Sequence, residues 1–431
     1  MMKTVILVLL VAAVYGKHEK YAGWKSFLVN PANQEQAETL SGKVIDLELD
    51  FLSPAVVGRE AVVLVKPKYQ ADFLSFLLQE NINYQVHAED VKAQLDIDDH
   101  LIEARKSVTR ANNGERITYD NYQPLEVIYE YLDKVAEEYS DVVTLVNPGN
   151  SFEGRPLKYL KISKDNFQSN KPVIFIDGGI HAREWISPPA VTYAIHKLVE
   201  NVTDSELLER FDWILFPVVN PDGYVHTFTS DRFWSKTRST DQHPLSKICP
   251  GVDGNSNYDF YWNEVGTSSS PCSDIYAGGK AFSEVEVRAV DEIIQANNNM
   301  ILYITIHSYG SLILYPWGHD GTLSNNAFVL HTVGTTMASA IDELSLPHFP
   351  RYIVGNTALT LNYNVSGGSV DYAHYKGIPF TYTYELPGLD GGFQGFHLNP
   401  RYIIQVVAET WAGISAGAKR AASFFGTFNK H

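Results

Sequence analysis

Apolar and polar positions divide the chain into two stretches of different pattern. In the first, the alternating residues 44–49, the apolar run 61–65 and residues 82–88 predict strands. A helix opened by Pro67 precedes the last of them. Two strands, a helix and a strand in close succession predict a small α/β open sandwich. A polar, basic, helix-compatible stretch over residues 97–119 then predicts a protease-sensitive connector between two units.

The second stretch alternates long helices with very apolar strands. Residues 124–139 form an amphipathic helix pattern, and Ser283 with Glu286 predicts a capping box at the start of a later helix. Runs rich in β-branched and aromatic residues occur at 173–177, 213–219, 301–306 and 380–384. Such runs fit strands that are covered on both faces. We therefore expect an α/β fold with a mixed, mostly parallel sheet between helices, preceded by the open sandwich.

Composition narrows the class of protein. The 431 residues include 45% hydrophobic and 19% charged residues, a balance that argues against disorder. The formal charge is −16 and no basic stripe is visible, so we expect neither a nucleic-acid nor an anionic-membrane partner. The two cysteines exclude a disulfide-dense scaffold and a four-cysteine zinc site, but one disulfide remains possible.

The N-terminal residues have the features of a targeting segment. Lys3 is followed by an apolar run over residues 5–14, which is shorter than the roughly 20 residues needed to span a bilayer. This pattern predicts a secretory signal peptide over residues 1–16. Secretion makes a Cys249–Cys272 disulfide plausible.

Polar side chains follow three of the predicted buried strands. His181 and Glu184 come just after the first, His307 follows the third, and Glu385 follows the fourth. Ligands of open α/β sheets bind beyond the carboxyl ends of strands. Two imidazoles and a carboxylate suit Zn²⁺, which keeps a further position for water in catalytic sites. From spacing alone, a histidine satisfied within the fold remains the alternative.

Seven ordered motifs, IHAREWISPP, NPDGY, KTR, GVDGN, IHSYG, SGGSVDY and YEL, give the chain a specific resemblance. It resembles the zinc metallocarboxypeptidases of the A/B digestive type, over essentially its whole length. The resemblance implies a signal peptide (1–16), an activation prosegment (17–110) and a catalytic domain (111–431). It also implies a prosegment that covers the active-site cleft and a trypsin-like protease that cleaves near Arg110.

The resemblance assigns roles to individual residues. One Zn²⁺ would be held by His181, Glu184 and His307, and Asp253 would hydrogen-bond the first histidine and fix its tautomer. The disulfide would join Cys249 and Cys272. Glu385 would be the general base, and Arg238 would stabilise the oxyanion of the tetrahedral intermediate. Residues implied to contact substrate are Asn255, Tyr363, Arg183 and Phe396.

The chain departs from the family pattern at the substrate carboxylate. Ser256 stands where the family has an arginine that anchors the C-terminal carboxylate. Hydrogen bonds to charged groups contribute roughly 1.5–3 kcal/mol, so its loss would cost on the order of 10- to 150-fold. The loop after Glu385 is also about two residues longer than the family pattern before Phe396. Val370 occupies the pocket-floor position, which predicts a preference for aliphatic or aromatic C-terminal residues.

Two other functions remain open because of Ser256. One is a non-catalytic relative that binds peptides, and the other is a zinc amidohydrolase of altered specificity. Our prediction is a secreted, extracellular enzyme of the digestive lumen, monomeric, acting on peptides and proteins with a free C-terminus. Proteinaceous carboxypeptidase inhibitors are further expected partners.

Overall fold

The computed structural model describes residues 17–109, 117–388, 396 and 398–428. Three predicted features lie outside the described residues: the signal peptide (1–16), the cleavage site at Arg110, and most of the longer loop before Phe396. Within the described residues, no helix combines the length and the hydropathy needed to cross a membrane.

The N-terminal unit is an open sandwich of one antiparallel sheet with helices. Its strands, in the spatial order β2-β3-β1-β4, are β1 (Lys25–Asn30), β2 (Asp50–Phe51), β3 (Ala61–Val65) and β4 (Asn83–Ala88). Its helices are α1 (Gln34–Ser41), α2 (Gln70–Gln79) and α3 (Val91–Thr109). The predicted sandwich is therefore confirmed.

Two details of this unit differ from the prediction. Residues 44–49 form successive turns and not a strand, with bonds such as Leu49 N to Val44 O at 3.0 Å. Strand β1 and helix α1 were not predicted from the sequence pattern. Helix α1 begins after Asn33, whose side chain accepts from Gln36 N, while the side chain of Gln36 accepts from Ala32 N. This reciprocal pair is a readable helix-start signal.

Strand β3 is buried on both faces because it separates two apolar layers. Val63 packs with Phe73 of α2 inside the N-terminal unit. The alternate residue Leu64 belongs to a second cluster that includes Phe233 and Tyr309 of the C-terminal unit. Successive side chains of a strand point to opposite faces, so the sheet packs its own helices on one face and the second unit on the other.

The C-terminal unit contains an eight-stranded mixed sheet. Its strands, in the spatial order β11-β10-β12-β9-β7-β8-β6-β5, are β5 (Val143–Val146), β6 (Tyr159–Ile162), β7 (Val173–Gly178), β8 (Asp212–Phe216), β9 (Met300–Ser308), β10 (Leu312–Tyr315), β11 (Ile353–Asn356) and β12 (Phe380–Leu386). The central strands β12, β9, β7 and β8 are parallel, β5 and β6 are antiparallel to their neighbours, and β10 is antiparallel to β12 but parallel to β11. The predicted mixed sheet is confirmed.

Helices cover both faces of this sheet. They are α4 (Leu125–Glu138), α5 (Ser187–Ile195), α6 (Glu206–Arg210), α7 (Pro221–Thr229), α8 (Val285–Ala296), α9 (Ala327–Leu344), α10 (Thr357–Leu361), α11 (Ser369–Tyr375) and α12 (Ile403–Phe428). In β7, Ile174 and Ile176 join the cluster formed with α4, α5, α9 and α12. Val173 and Phe175 join the cluster formed with α8 and α11. The continuous apolar runs therefore follow from burial on both sides.

The predicted capping box of α8 is wrong. Ser283 Oγ donates to Glu284 Oε1 at 2.8 Å and also contacts Asn257, so it does not cap the helix. Glu284 becomes the N-cap residue. Both side-chain oxygens of Glu286 are buried without a hydrogen-bond partner in the structure. Tertiary contacts of Ser283 therefore outweigh the local motif.

Candidate active site

The sheet brings the ends of three neighbouring strands together. Strands β7, β9 and β12 are parallel neighbours, and Glu385 of β12 lies opposite His307 of β9 in the register. β7 ends at Gly178, and the chain turns through Gly179, whose φ of +70° lies in the left-handed region. Glycine adopts this conformation at no steric cost. The turn delivers His181 to the edge where His307 and Glu385 already lie.

Three side chains of this edge form a candidate metal centre. The possible ligand atoms of His181, Glu184 and His307 all lie within 4.8 Å of one another. Glu184 Oε1 is 2.8 Å from Nδ1 of His181, and Glu184 Oε2 is 3.1 Å from Nδ1 of His307. Glu184 Oε2 is buried and lacks a hydrogen-bond partner, which is unusual for a carboxylate oxygen. Two imidazoles and this carboxylate are a donor set that fits Zn²⁺.

The electrostatics of the centre favour a cation. Nε2 of His181 lies 2.9 Å from Asp253 Oδ1, so its hydrogen points to Asp253, and Nδ1 of the ring is left facing Glu184. Burial opposes a charge on Glu184, but the positive charge of the protonated His181 and His307 rings outweighs this effect and holds the pKa of Glu184 below its usual range, and a bound cation would take the place of that charge. The centre therefore presents an ionised carboxylate and two aligned imidazole nitrogens.

Glu385 lines the cavity beside the metal centre and is the charged residue of β12, whose other residues are aromatic, threonine or leucine. Burial raises the pKa of Glu385 to about 7; the charge of His307 opposes this shift and that of Glu184 adds to it. A carboxyl group with a pKa near neutral pH can both take up and release a proton under physiological conditions. Glu385 therefore has the properties of a general acid–base residue.

A cavity of about 410 Å³ joins the centre to most of the predicted substrate residues. Its lining includes Asn255, Ser256, Tyr363, Val370, Arg183 and Phe396, with His181, Asp253 and Glu385. Its wall also includes Leu314, Val365 and Thr383. The structure thus brings the predicted residues together, apart from Arg238. Arg238 contacts Glu153 at 3.4 Å and lies 4.5 Å from the Trp234 ring, and it is not among the described lining residues.

Ser256 hydrogen-bonds Asp253, the residue that contacts His181 of the candidate metal centre. Its hydroxyl donates to Asp253 Oδ2, and Asn255 N donates to Oδ1 of the same carboxylate at 3.1 Å. Asn255 Oδ1 in turn accepts from Ser369 N at 3.1 Å. Residues 255–256 are therefore held by hydrogen bonds to the Asp253 carboxylate and to the backbone of Ser369.

The N-terminal unit closes one side of the cavity. Residues 49–52 and 54–55 belong to its lining. Both carboxylate oxygens of Asp50 lie 2.9 Å from Nη1 of Arg183, and the two side chains are only 13% and 12% exposed. The Arg183 guanidinium also lies 4.7 Å from the ring of Phe396. Asp50 of the first unit therefore forms an ion pair with Arg183, the cationic side chain of the cavity wall.

Two buried carboxylates near the site were not singled out in the sequence. Asp50 follows an acidic alternating stretch, and Asp177 ends the apolar run VIFID. A lone acid in a buried strand is a usable signal, because it needs partners to remain there. Burial raises the pKa of Asp177 to about 6, while hydrogen bonds from Thr305 and Tyr303 oppose this rise, so the group is ionised at neutral pH.

Comparison with known sequences decides the family. The zinc carboxypeptidase family profile matches residues 128–413, and the carboxypeptidase activation peptide profile matches residues 27–98. The chain belongs to the zinc carboxypeptidase family. Its cofactor is therefore Zn²⁺, and the protein is a hydrolase of the exopeptidase class that is made as a proenzyme.

Individual relatives cover nearly the whole chain. Carboxypeptidase B of Helicoverpa zea is 60% identical over 428 residues, which are 98% of this chain and 100% of the relative. Carboxypeptidase A4 of Mus musculus is 35% identical over 410 residues, 94% of each chain. The relatives carry both the A and the B designation, so their names do not decide the specificity.

Solved structures agree with this assignment. The crystal structure of carboxypeptidase A from Helicoverpa armigera is similar with a TM-score of 0.88 and 43% identity, covering 94% of this chain and 99% of that one. Bovine thrombin-activatable fibrinolysis inhibitor, solved in complex with tick carboxypeptidase inhibitor, has a TM-score of 0.65 and 34% identity, covering 71% of this chain and 99% of that one.

The predicted disulfide is also present: Cys249 and Cys272 are joined, with Cα atoms 4.9 Å apart.

Proposed function

We propose that the protein is a secreted, extracellular proenzyme of the digestive lumen that removes single aliphatic or aromatic residues from the C-terminus of peptides. Residues 1–16 are the signal peptide, 17–110 the prosegment and 111–431 the catalytic domain. The observation that carries this proposal is the meeting of a three-residue metal centre, Glu385 and an apolar pocket in one cavity.

The chain's own residues have separate tasks in the proposed reaction. His181, Glu184 and His307 hold Zn²⁺, which when bound supplies Lewis acidity toward the scissile carbonyl and the attacking water. Glu385 takes the proton of that water and later delivers it to the leaving amine. Asp253 holds the His181 ring in place.

The remaining site residues bind and orient the substrate in this proposal. Arg238 stabilises the developing oxyanion, which requires it to leave its contact with Glu153. Asn255 and Tyr363, which both line the cavity, hold the C-terminal residue. Arg183 and Phe396 line the path of the residues upstream of the scissile bond.

The preference for apolar residues rests on the floor of the cavity. Val370 is 5% exposed and Leu314 1% exposed in the cavity wall. Asp371 also lines this region, but its carboxylate accepts from Gly318 N at 2.8 and 2.9 Å and from His319 N at 3.1 Å. It is thus committed to the backbone and poorly placed to receive a lysine or arginine. Burying a substrate side chain against Val370 and Leu314 contributes roughly 1.5–3 kcal/mol.

Ser256 supports a second candidate within the same chemistry. With serine in place of the expected arginine, a free C-terminal carboxylate has a weaker anchor, and its hydroxyl already donates to Asp253. A zinc amidohydrolase that acts on acylated amino acids or other nonstandard carboxylates is the function favoured by this one observation. The prosegment favours the peptidase.

Partners follow from the proposed proenzyme. A trypsin-like protease cleaves the connector near Arg110, and peptides and proteins with a free C-terminus are the substrates. Proteinaceous inhibitors are proposed partners because the related bovine protein was solved with tick carboxypeptidase inhibitor. We propose a monomer with neither nucleic-acid nor membrane partners, in keeping with the charge of −16.

A peptide library that varies only in its last residue tests the proposal. Purified protein is treated with trypsin, and released residues are identified by mass spectrometry with and without a zinc chelator. Chelator-sensitive release of aliphatic and aromatic residues is expected, and a Glu385→Gln variant should abolish it. Efficient release of lysine or arginine by the unmodified protein would contradict the specificity.

Two further arms separate the alternatives. Val370→Asp places a carboxylate on the pocket floor and should move the preference toward lysine and arginine. Cleavage of acylated amino acids without release of any C-terminal residue would establish the amidohydrolase instead.

A further inference from the structure

Asp177 is a buried carboxylate of the central sheet for which the proposed reaction has no use. Its side chain is 2% exposed at the end of β7. Thr305 Oγ1 donates to Asp177 Oδ1 at 2.7 Å, and Tyr303 Oη donates to Oδ2 at 2.7 Å. Thr305 lies opposite Asp177 in the β7–β9 register, so the strand pairing itself supports the first contact.

The hydroxyl of Thr305 connects this carboxylate to a metal-site histidine. Thr305 Oγ1 is 3.2 Å from Nε2 of His307. An ionised carboxylate only accepts, so the single hydroxyl proton of Thr305 is directed to Asp177. The oxygen can then only accept from His307, which requires the hydrogen of that ring to be on Nε2. In the neutral ring that metal binding requires, this leaves the lone pair on Nδ1, the atom that faces Glu184 at 3.1 Å.

We propose that Thr305 and Asp177 are positioning residues that hold His307 in its metal-binding tautomer and ring orientation. The inference rests on the proposed ligand role of His307. It gives the two histidines equivalent support: a direct hydrogen bond from His181 to Asp253, and a hydroxyl-mediated one from His307 to Asp177. Groups that orient metal-bound histidines in this way typically change metal affinity by about 10- to 100-fold when they are removed.

Zinc affinity of the full-length protein is the measurement that tests this arrangement. Thr305→Val keeps the shape of the side chain and removes the hydroxyl, whereas Thr305→Ser keeps the hydroxyl. The Zn²⁺ dissociation constant is determined by competition with a chromophoric chelator. We expect Thr305→Val to weaken zinc binding about 10- to 100-fold, and Thr305→Ser to restore it to within about threefold of the unmodified protein.

Tyr303→Phe is the matched control, since it removes the other hydroxyl from Asp177 and leaves the path to His307 intact. It should leave the dissociation constant within about threefold. Equal weakening in Tyr303→Phe and Thr305→Val, or none in Thr305→Val, would overturn the inference. If Thr305→Val does not fold, Thr305→Ala replaces it, with the same expected weakening. Absence of tight zinc binding in the unmodified protein would instead refute the proposed metal site itself.

Discussion

The ion pair between Asp50 and Arg183 is a direct contact of the prosegment with the substrate cavity, and its removal tests how the proenzyme stays inactive. Asp50→Ala removes the carboxylate that hydrogen-bonds the Arg183 guanidinium in the closed state, where the pair is 12–13% exposed, and leaves only the more distant charge of Asp274 on this side. Breaking a buried ion pair by removing one partner costs roughly 3–5 kcal/mol. Because the pair is still 12–13% exposed, the expected cost of removing Asp50 lies at the lower end of this range, about 3 kcal/mol.

That cost applies to the closed state only. When the prosegment moves away, water solvates Arg183 with or without Asp50. The equilibrium between closed and open proenzyme therefore shifts by nearly the whole amount, and about 3 kcal/mol corresponds to an increase on the order of 100-fold in the open fraction. The uncleaved Asp50→Ala protein should be that much more active than the unmodified proenzyme.

The assay is the ratio of activity before and after trypsin treatment, measured on the same preparation. The ratio removes any effect of the substitution on the mature enzyme. Glu48→Ala is the control, because it removes the same charge two residues away. Glu48 pairs with Lys66 and Lys68 inside the prosegment. An unchanged ratio for Asp50→Ala, or an equal rise for Glu48→Ala, would refute the reasoning.

Two further predictions concern stability. Replacing Cys249 and Cys272 by serine should lower the free energy of unfolding in urea by about 3 kcal/mol, because the disulfide closes a loop across a separation of 23 residues; an unchanged midpoint would contradict the loop-closure reasoning. Burial raises the pKa of Glu286 from 4.5 to about 8, so the folded state holds this proton more tightly than the unfolded state. The free energy of unfolding should therefore fall as the pH rises between these values, by up to roughly 1.4 kcal/mol per pH unit. Glu286→Gln should therefore stabilise the protein at pH 8 and change little at pH 4, and equal effects at both pH values in urea unfolding would count against it.

The chemistry of the site could be predicted from the sequence because its residues follow strands in order. His307 and Glu385 lie on strands whose apolar runs are unmistakable, and parallel neighbours place their ends at the same edge. The Gly-Gly turn before His181 was equally visible. The strand-end rule therefore brought together the candidate metal centre and Glu385, while the individual roles came from the family resemblance.

Two predicted features failed because other hydrogen bonds compete with the local pattern. Ser283 matches a capping box locally, but its hydroxyl is used by Glu284 and Asn257 in the folded chain. The alternation over residues 44–49 looks like a strand, yet turns satisfy that backbone. The bond from Asn257 to Ser283 exists only once tertiary structure forms, whereas the bonds over residues 44–49 are local turns that compete with the strand pattern.

Position 256 links the metal centre to substrate selection. The family resemblance implies an arginine there that anchors the substrate carboxylate, whereas here Ser256 donates to Asp253, which contacts His181. Among the described residues that line the cavity, Arg183 is the arginine, and Asp50 neutralises it in the proenzyme. Removal of the prosegment therefore opens the cleft and, in the same step, frees the Arg183 guanidinium in the cavity wall. On the proposed function, activation and the capacity to attract a carboxylate are coupled through this single ion pair.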